Sequence, residues 1–360
     1  MAAFALLASA LADASCAADP YLSVVLASRD DDYAGRMAER FVTAIALLAH
    51  AILLRCVADV EILVVEWNSP AERPGLGPQI DEALSIATSN STCAETVKIR
   101  RIVVPPAVHS TLESHGHVRS TAPMSEFIAK NVGLRHARGK FVLAQNPDDV
   151  WSPALATFLL ERRDHREDTF YTAGMRFDTA LPERPTDAAS ALAEIVERAH
   201  DDERLAASVY APTRPHRPEA FEQAVAAFGR LCEHGDDGSG AIPGYWDFHA
   251  GDFVLAARAQ WEAVLAYPEV PWSFGIDSAI LCKFYGAGLR NACLLPPCTV
   301  VHQFHEIRVN QNAVRVVDSN AVCEQLKAAP GEAIHESQRE PDEWGRLEAV
   351  EHRHCVGECR

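Results

Sequence analysis

The sequence predicts an α/β protein: a doubly wound, Rossmann-like sheet, mostly parallel, with helices on both faces. Three observations lead there. Short, wholly apolar runs alternate with longer helical stretches. The apolar runs lack in–out alternation, as expected of strands covered on both faces. Charged and amide residues gather just after those runs, at the strand ends where open α/β sheets bind ligands.

Leu22 to Ala27 (LSVVLA) is the first buried strand, followed by polar Ser28-Arg29-Asp30-Asp31-Asp32. A helix is expected from about Tyr33 to Arg55. Its apolar stretch, Ala44 to Val57, is interrupted by His50 and Arg55, so it reads as a core helix rather than a membrane span. Glu61 to Val65 is the next strand and ends in Glu66-Trp67-Asn68, with Trp67 expected to pack rather than stack on a base. A Pro/Gly-rich loop then runs to Pro78. Lys98 to Val104 is a third strand, stopped by Pro105-Pro106, and Ser110 to Pro123 reads as a polar loop.

Asn131 to Arg138 carries apolar residues at Val132, Leu134 and Ala137, and Gly139 is expected to close that helix. Phe141 to Ala144 is a buried strand running into Asn146-Pro147-Asp148-Asp149. Residues 179–244, rich in Ala, Glu, Arg, Asp and Pro, break the pattern and form a helical insertion with a flexible Gly/Asp/Ser link. Strand character resumes at Gly251 to Ala257. Asp277 opens a further helix, and Cys298 to Val301 is the last clear strand, followed by His302-Gln303-Phe304-His305. The chain beyond about 311 reads as a polar tail, and residues 1–20 as an N-terminal extension.

Composition bounds the function. The 360 residues suit one large α/β domain or two smaller ones. A net charge of −17 gives no basic face for nucleic acid, so that partner is not expected. An anionic ligand then needs a metal ion or local Lys/Arg. The ten cysteines show no framework spacing and read mostly as buried thiols. The terminal His352, His354, Cys355 and Cys359 read as part of a polar tail rather than a zinc site. The opening apolar residues have no preceding Lys or Arg and are too short to span a bilayer. No transmembrane span is evident. The cytoplasm is slightly favoured over the secretory pathway, where Asn90-Ser91-Thr92 would be a glycosylation sequon.

Four clusters hold candidate chemistry. Asp148 and Asp149 suit Mg²⁺ or Mn²⁺ on a diphosphate, and equally suit capping of the helix that begins near Ser152-Pro153. Ser28, Arg29, Glu66 and Asn68 lie at the first two strand ends, where a carboxylate can accept the imide N–H of uracil or ribose hydroxyls; turn chemistry explains them as well. Asp277, with Gly251-Asp252 before it, can deprotonate a sugar hydroxyl or serve as an N-cap. His302 and His305 can complete an oxygen-rich metal site.

In this order, the segments SVVLASRDD, EILVVEWN, FIAKNVGLRHARGKFVLAQNPDD, HAGDFVLAARAQWEAVLAYPE, FGIDSAIL and VVHQFHE resemble nucleotide-sugar-dependent glycosyltransferases of the GT-A fold, family 2 type. The resemblance covers about Tyr21 to Glu306. It implies a GT-A-like domain over 21–310, with a nucleotide-binding half at 21–160 and an acceptor half at 245–310. It implies transfer of a sugar from a nucleoside diphosphate sugar, UDP-sugar favoured, to a glycan or small hydroxyl acceptor, with inversion. Asp277 would be the base. Asp148, Asp149, His302 and His305 would hold Mn²⁺ or Mg²⁺. Ser28, Arg29, Glu66, Asn68, Lys130 and Asn146 would contact the donor. Asn146 replaces the family's first metal aspartate, and Ile276 a usual glutamate. These departures leave room for weak metal dependence, for a retaining mechanism, or for the alternative, a catalytically silent relative that binds a nucleotide or glycan. A metal hydrolase built on His302 and His305 is the weaker third reading, because no third ligand lies nearby in sequence.

Overall fold

The computed structural model describes residues 19–88, 93, 96–118, 122–161, 164–173, 176–179, 187–194, 251–270, 276–294, 298–305, 319–328 and 343–354. The insertion expected at 179–244 lies outside these apart from 179 and 187–194, and so does the sequon. In chain order the elements are β1 (Leu22–Ser28), α1 (Met37–Leu54), β2 (Val60–Trp67), α2 (Gly77–Thr88), β3 (Ile99–Val104), α3 (Pro106–Ser114), α4 (Glu126–His136) and β4 (Phe141–Gln145). They continue with β5 (Asp149–Trp151), α5 (Pro153–Leu160), β6 (Thr169–Ala173), β7 (Arg176–Thr179), β8 (Phe253–Ala257), α6 (Arg258–Ala263), α7 (Ile276–Gly286), β9 (Arg290–Leu294), β10 (Val300–Gln303), α8 (Ser319–Ala328) and β11 (Val350–His354).

The main sheet has the order β11-β3-β2-β1-β4-β8-β6-β9. The four strands β3, β2, β1 and β4 are parallel to one another, and β8 and β11 run antiparallel to their neighbours β4 and β3. Helices cover both faces. Leu22, Val24 and Leu26 of β1 point into one core with Phe41 and Ile45 of α1, while Val25 and Ala27 point into the other with Val132 of α4 and Ile280 of α7. This division explains why β1 carries no polar alternation: both of its faces are interior. Each fully buried Leu, Ile, Val or Phe contributes on the order of 1.5–3 kcal/mol. The result is a doubly wound, mixed α/β architecture. A smaller sheet, β5-β10-β7, lies at the carboxyl end of β4.

Among the described residues, α1 is the one helix long and apolar enough to cross a membrane, and most of it is buried inside the fold.

Several expectations change. Residues 106–114, whose second half was expected to open a polar loop, form α3. The chain expected to be a tail beyond 311 contributes α8 and the edge strand β11, which pairs with β3 from Val350↔Val103 to His354↔Ile99. His354 Nδ1 lies 2.8 Å from Asp81 Oδ1, while Cys355 and Cys359 lie outside the described residues. Four of the cysteines read as thiols are paired: Cys56–Cys93 and Cys282–Cys323 are disulfides, the second joining α7 to α8. Gly139 is not the left-handed residue that closes α4; the helix ends at His136 with Ala137 extended. Its glycine is needed for close approach, because a Cβ there would meet the Ser23 backbone nitrogen at 2.5 Å.

Candidate functional site

The site forms where β4 ends. Asn146 and Asp148 leave that strand in different directions and anchor two groups of side chains.

The first group is a candidate metal centre. β5 pairs with β10 in antiparallel register, Asp149↔His302, and the Gln303 amide donates to the Asp148 carbonyl at 3.3 Å. This register brings the His302-to-His305 segment against Asp148. Asp148 Oδ2 lies 3.6 Å from His302 Nε2 and 3.3 Å from His305 Nε2. The donor atoms of the three residues lie within 4.8 Å of one another. One carboxylate and two imidazoles can hold a divalent transition ion such as Mn²⁺, with positions left for water or ligand; imidazole donors suit Mg²⁺ less well. Asp148 and His302 are buried, at 5% and 7% exposure.

Arg40 of α1 completes this group. Its Nε donates to Asp148 Oδ2 at 3.3 Å, and its other nitrogens donate to the carbonyls of Tyr33 and Gly35. Burial by itself raises the pKa of Asp148. The hydrogen bond from His305 and the charges of His302, His305 and Arg40 outweigh it and hold the carboxyl below the usual range. Helix capping does not explain Asp148, because Ser152 is the N-cap of α5 and accepts from the Leu155 amide at 3.2 Å. Asp149 does not join the group. It lines a cavity beside Leu47, Leu48, Arg55 and Trp151.

The second group gathers around Lys130 and Asn146. Lys130 of α4 donates to Glu126 Oε1 at 2.6 Å, Asn146 Oδ1 at 2.7 Å and the Gly251 carbonyl at 2.6 Å. Asn146 Nδ2 donates to Asp252 Oδ1 at 2.6 Å. The three donors of Lys130 and both ends of the Asn146 amide are therefore taken up within the protein. Asp277 is half-buried in the first turn of α7, and its Oδ1 accepts from the Ser278 amide at 2.9 Å. Its Oδ2 lies 3.6 Å from the Cβ position of Gly251. Burial, then the like charges of Glu126 and Asp252, raise its pKa, with Lys130 pulling the other way.

The strand ends nearer the amino terminus are arranged differently from expectation. Glu66 Oε2 accepts from the Leu76 amide at 2.9 Å and from Arg101 at 3.0 Å. Asp30 accepts from the Gly75 amide and Gln79, each at 3.0 Å. These two buried carboxylates hold the Pro/Gly loop over the ends of β1 and β2, so Glu66 serves the scaffold. Gly75 has φ +78°, and a Cβ would meet Glu66 Oε1 at 2.6 Å. Arg29 ties β1 to β2 by donating to the Asn68 carbonyl at 2.7 Å, and the Asn68 side chain donates to the Pro123 carbonyl at 2.8 Å. Ser28 remains: its buried hydroxyl has no hydrogen-bond partner among the described residues. Trp67 is packed, donating to His109 Nδ1 at 3.0 Å.

Sequence reasoning missed Arg40. The signal was present: it is the one Lys or Arg in the apolar helix α1. The pairing of Asn146 with Asp252 was also missed, since 106 residues separate them.

No protein-family model and no curated protein matches this chain. Among solved structures, it is similar to S. aureus TarS at 13% identity and a TM-score of 0.37, over 79% of this chain and 36% of that one. A shorter TarS structure, residues 1–349, gives 15% identity and a TM-score of 0.38, over 78% and 60%. The chain thus matches less than two thirds of either TarS chain. The functional reading rests on the geometry of the site itself.

Proposed function

We propose that this protein is a glycosyltransferase that moves a sugar from a nucleoside diphosphate sugar to a hydroxyl acceptor with the help of a divalent cation. One observation carries the reading. A buried Asp–His–His cluster and a carboxylate with a raised pKa flank the carboxyl end of β4, where a doubly wound sheet presents its ligand.

Asp148, His302 and His305 would hold the cation, Mn²⁺ being better matched than Mg²⁺ to two imidazoles. When bound, the ion supplies positive charge that offsets the leaving diphosphate. Against the effect of burial, His305 and His302, with a smaller contribution from Arg40, lower the pKa of Asp148, and Arg40 also hydrogen-bonds it in place. Asp277 would take the proton of the attacking hydroxyl. Burial, with the like charges of Glu126 and Asp252, raises its pKa, which strengthens it as a base. That attack opposite the leaving group gives inversion. Ser28, at the end of β1, would lie on the donor side, its buried hydroxyl without a partner among the described residues. A UDP-sugar is the favoured donor, and a glycan or small alcohol the acceptor.

The test is a thermal-shift panel of nucleotide sugars with and without Mn²⁺, followed by transfer assays on the donor found. Stabilisation should need both diphosphate and Mn²⁺, and Asp277→Asn should abolish transfer while leaving that stabilisation intact. Binding without turnover across acceptors would instead identify a silent relative. Full transfer by both Asp148→Ala and Asp277→Asn would overturn the proposal.

A further inference from the structure

Asn146 stands where a cation ligand is expected, yet its amide points elsewhere. Its oxygen accepts from Lys130 and its nitrogen donates to Asp252, at 2.7 and 2.6 Å. The backbone repeats the connection: the Asn146 amide donates to the Asp252 carbonyl at 3.4 Å, and Gln145 pairs with Phe253 in the β4–β8 register. Lys130 has a side-chain exposure of 0% and also donates to the Gly251 carbonyl. The Gly251-Asp252 turn is thereby held from both sides, and Asp277 packs against that turn.

The chemistry at 146 is specific. The side chain must accept from an ammonium on one branch and donate to a carboxylate on the other. Asparagine does both. An aspartate of the same shape would accept from Lys130 but would set two carboxylates 2.6 Å apart. Such a pair cannot stay doubly ionised without strong repulsion.

We propose that Lys130, Asn146 and Asp252 form a positioning bridge that clamps the acceptor-side turn to the end of β4 and takes residue 146 out of the cation's ligand set. The centre is then a three-residue one, Asp148, His302 and His305. The statement about the ligand set rests on the cation reading above; the bridge rests on the hydrogen bonds alone.

The experiment uses the full chain and compares wild type, Asn146→Asp and the exchanged pair Asn146→Asp/Asp252→Asn. Thermal unfolding is measured for each, and Mn²⁺ binding by titration calorimetry. Asn146→Asp should lower Tm. The exchanged pair should recover most of that loss, because the amide placed at position 252 would donate to the carboxylate placed at 146, while Lys130 keeps its acceptor. Mn²⁺ affinity should stay within about threefold of wild type in both variants, since neither alters a ligand. An unchanged Tm in Asn146→Asp, or an exchanged pair no more stable than the single variant, would overturn the bridge. Mn²⁺ binding tightened about tenfold or more by Asn146→Asp would overturn the three-residue centre, because an added carboxylate ligand does that. A wild type that binds no Mn²⁺ would overturn the cation reading and the ligand-set statement, while the unfolding measurements would still decide the bridge.

Discussion

Replacing Asp148 by alanine should destabilise the fold as well as remove a ligand from the candidate cation site, and the two effects can be separated. Arg40 and Asp148 side chains are each 7% exposed. Removing the carboxylate leaves a buried guanidinium that cannot lose its proton. Breaking a buried ion pair from one side costs about 3–5 kcal/mol. Arg40 keeps its bonds to the Tyr33 and Gly35 carbonyls, which places the expected loss near the lower end, about 3 kcal/mol. At roughly 2–4 °C per kcal/mol for a chain of this class, Tm should fall by about 6–12 °C. The double variant Arg40→Met/Asp148→Ala removes both charges, so it should recover about half the loss or more in urea unfolding. Mn²⁺ binding should not return, because the carboxylate ligand is still missing. A loss below about 1 kcal/mol in Asp148→Ala, or a double variant as unstable as the sum of the two singles, would refute the reasoning.

Lys283 is buried in α7, donating to the Ala266 carbonyl at 2.9 Å, and burial lowers its pKa to about 7 against the opposing pull of Glu269. Between about pH 7 and 10.5 only the unfolded chain carries that proton, so stability should rise with pH over this window by an amount on the order of 4 kcal/mol; Lys283→Met should lose this rise, read by urea midpoints at pH 7 and 9.5. The Cys282–Cys323 disulfide closes a separation of 41 residues, and Cys323→Ser should lower stability by about 3–4 kcal/mol on a chain-entropy account, measured by chemical unfolding. Gly75→Ala forces a side chain onto φ +78° and against Glu66, and should cost about 2 kcal/mol or more in the same assay.

The central strands were legible because they are buried on both faces. Leu22–Ser28, Val60–Trp67, Ile99–Val104 and Phe141–Gln145 lie within one or two residues of the apolar runs that announced them. Their order marked the strand ends, and Asp148, His302 and His305, singled out there, do come together in the structure. The rest depended on partners far away in sequence. β11 (VEHRH) is charged and mostly exposed, so nothing in its pattern marks a strand; Arg100, paired with Glu61 and Glu351, holds it in place. β5 is three residues long and exists through its pairing with β10. Glu66 looked available for a nucleotide because the loop that occupies it could not be folded from sequence. Asp149, adjacent to Asp148, shares its chemistry but not its surroundings, and one step along the chain separates the cation cluster from an apolar cavity.

The late strand β11 also sets the order in which the protein can be made. β3 waits for a neighbour about 250 residues downstream, as the Arg100–Glu351 separation of 251 shows. At a synthesis rate of about 5–20 residues per second, the edge of β3 is left uncovered for roughly 10–50 s after it emerges. An open edge is a template for pairing with other chains. That strand carries two adjacent cations, Arg100 and Arg101, and until β11 arrives Arg100 lacks the cover of Glu351. Like charges on a nascent edge repel a second copy of the same segment, and so guard the open edge until β11 is in place.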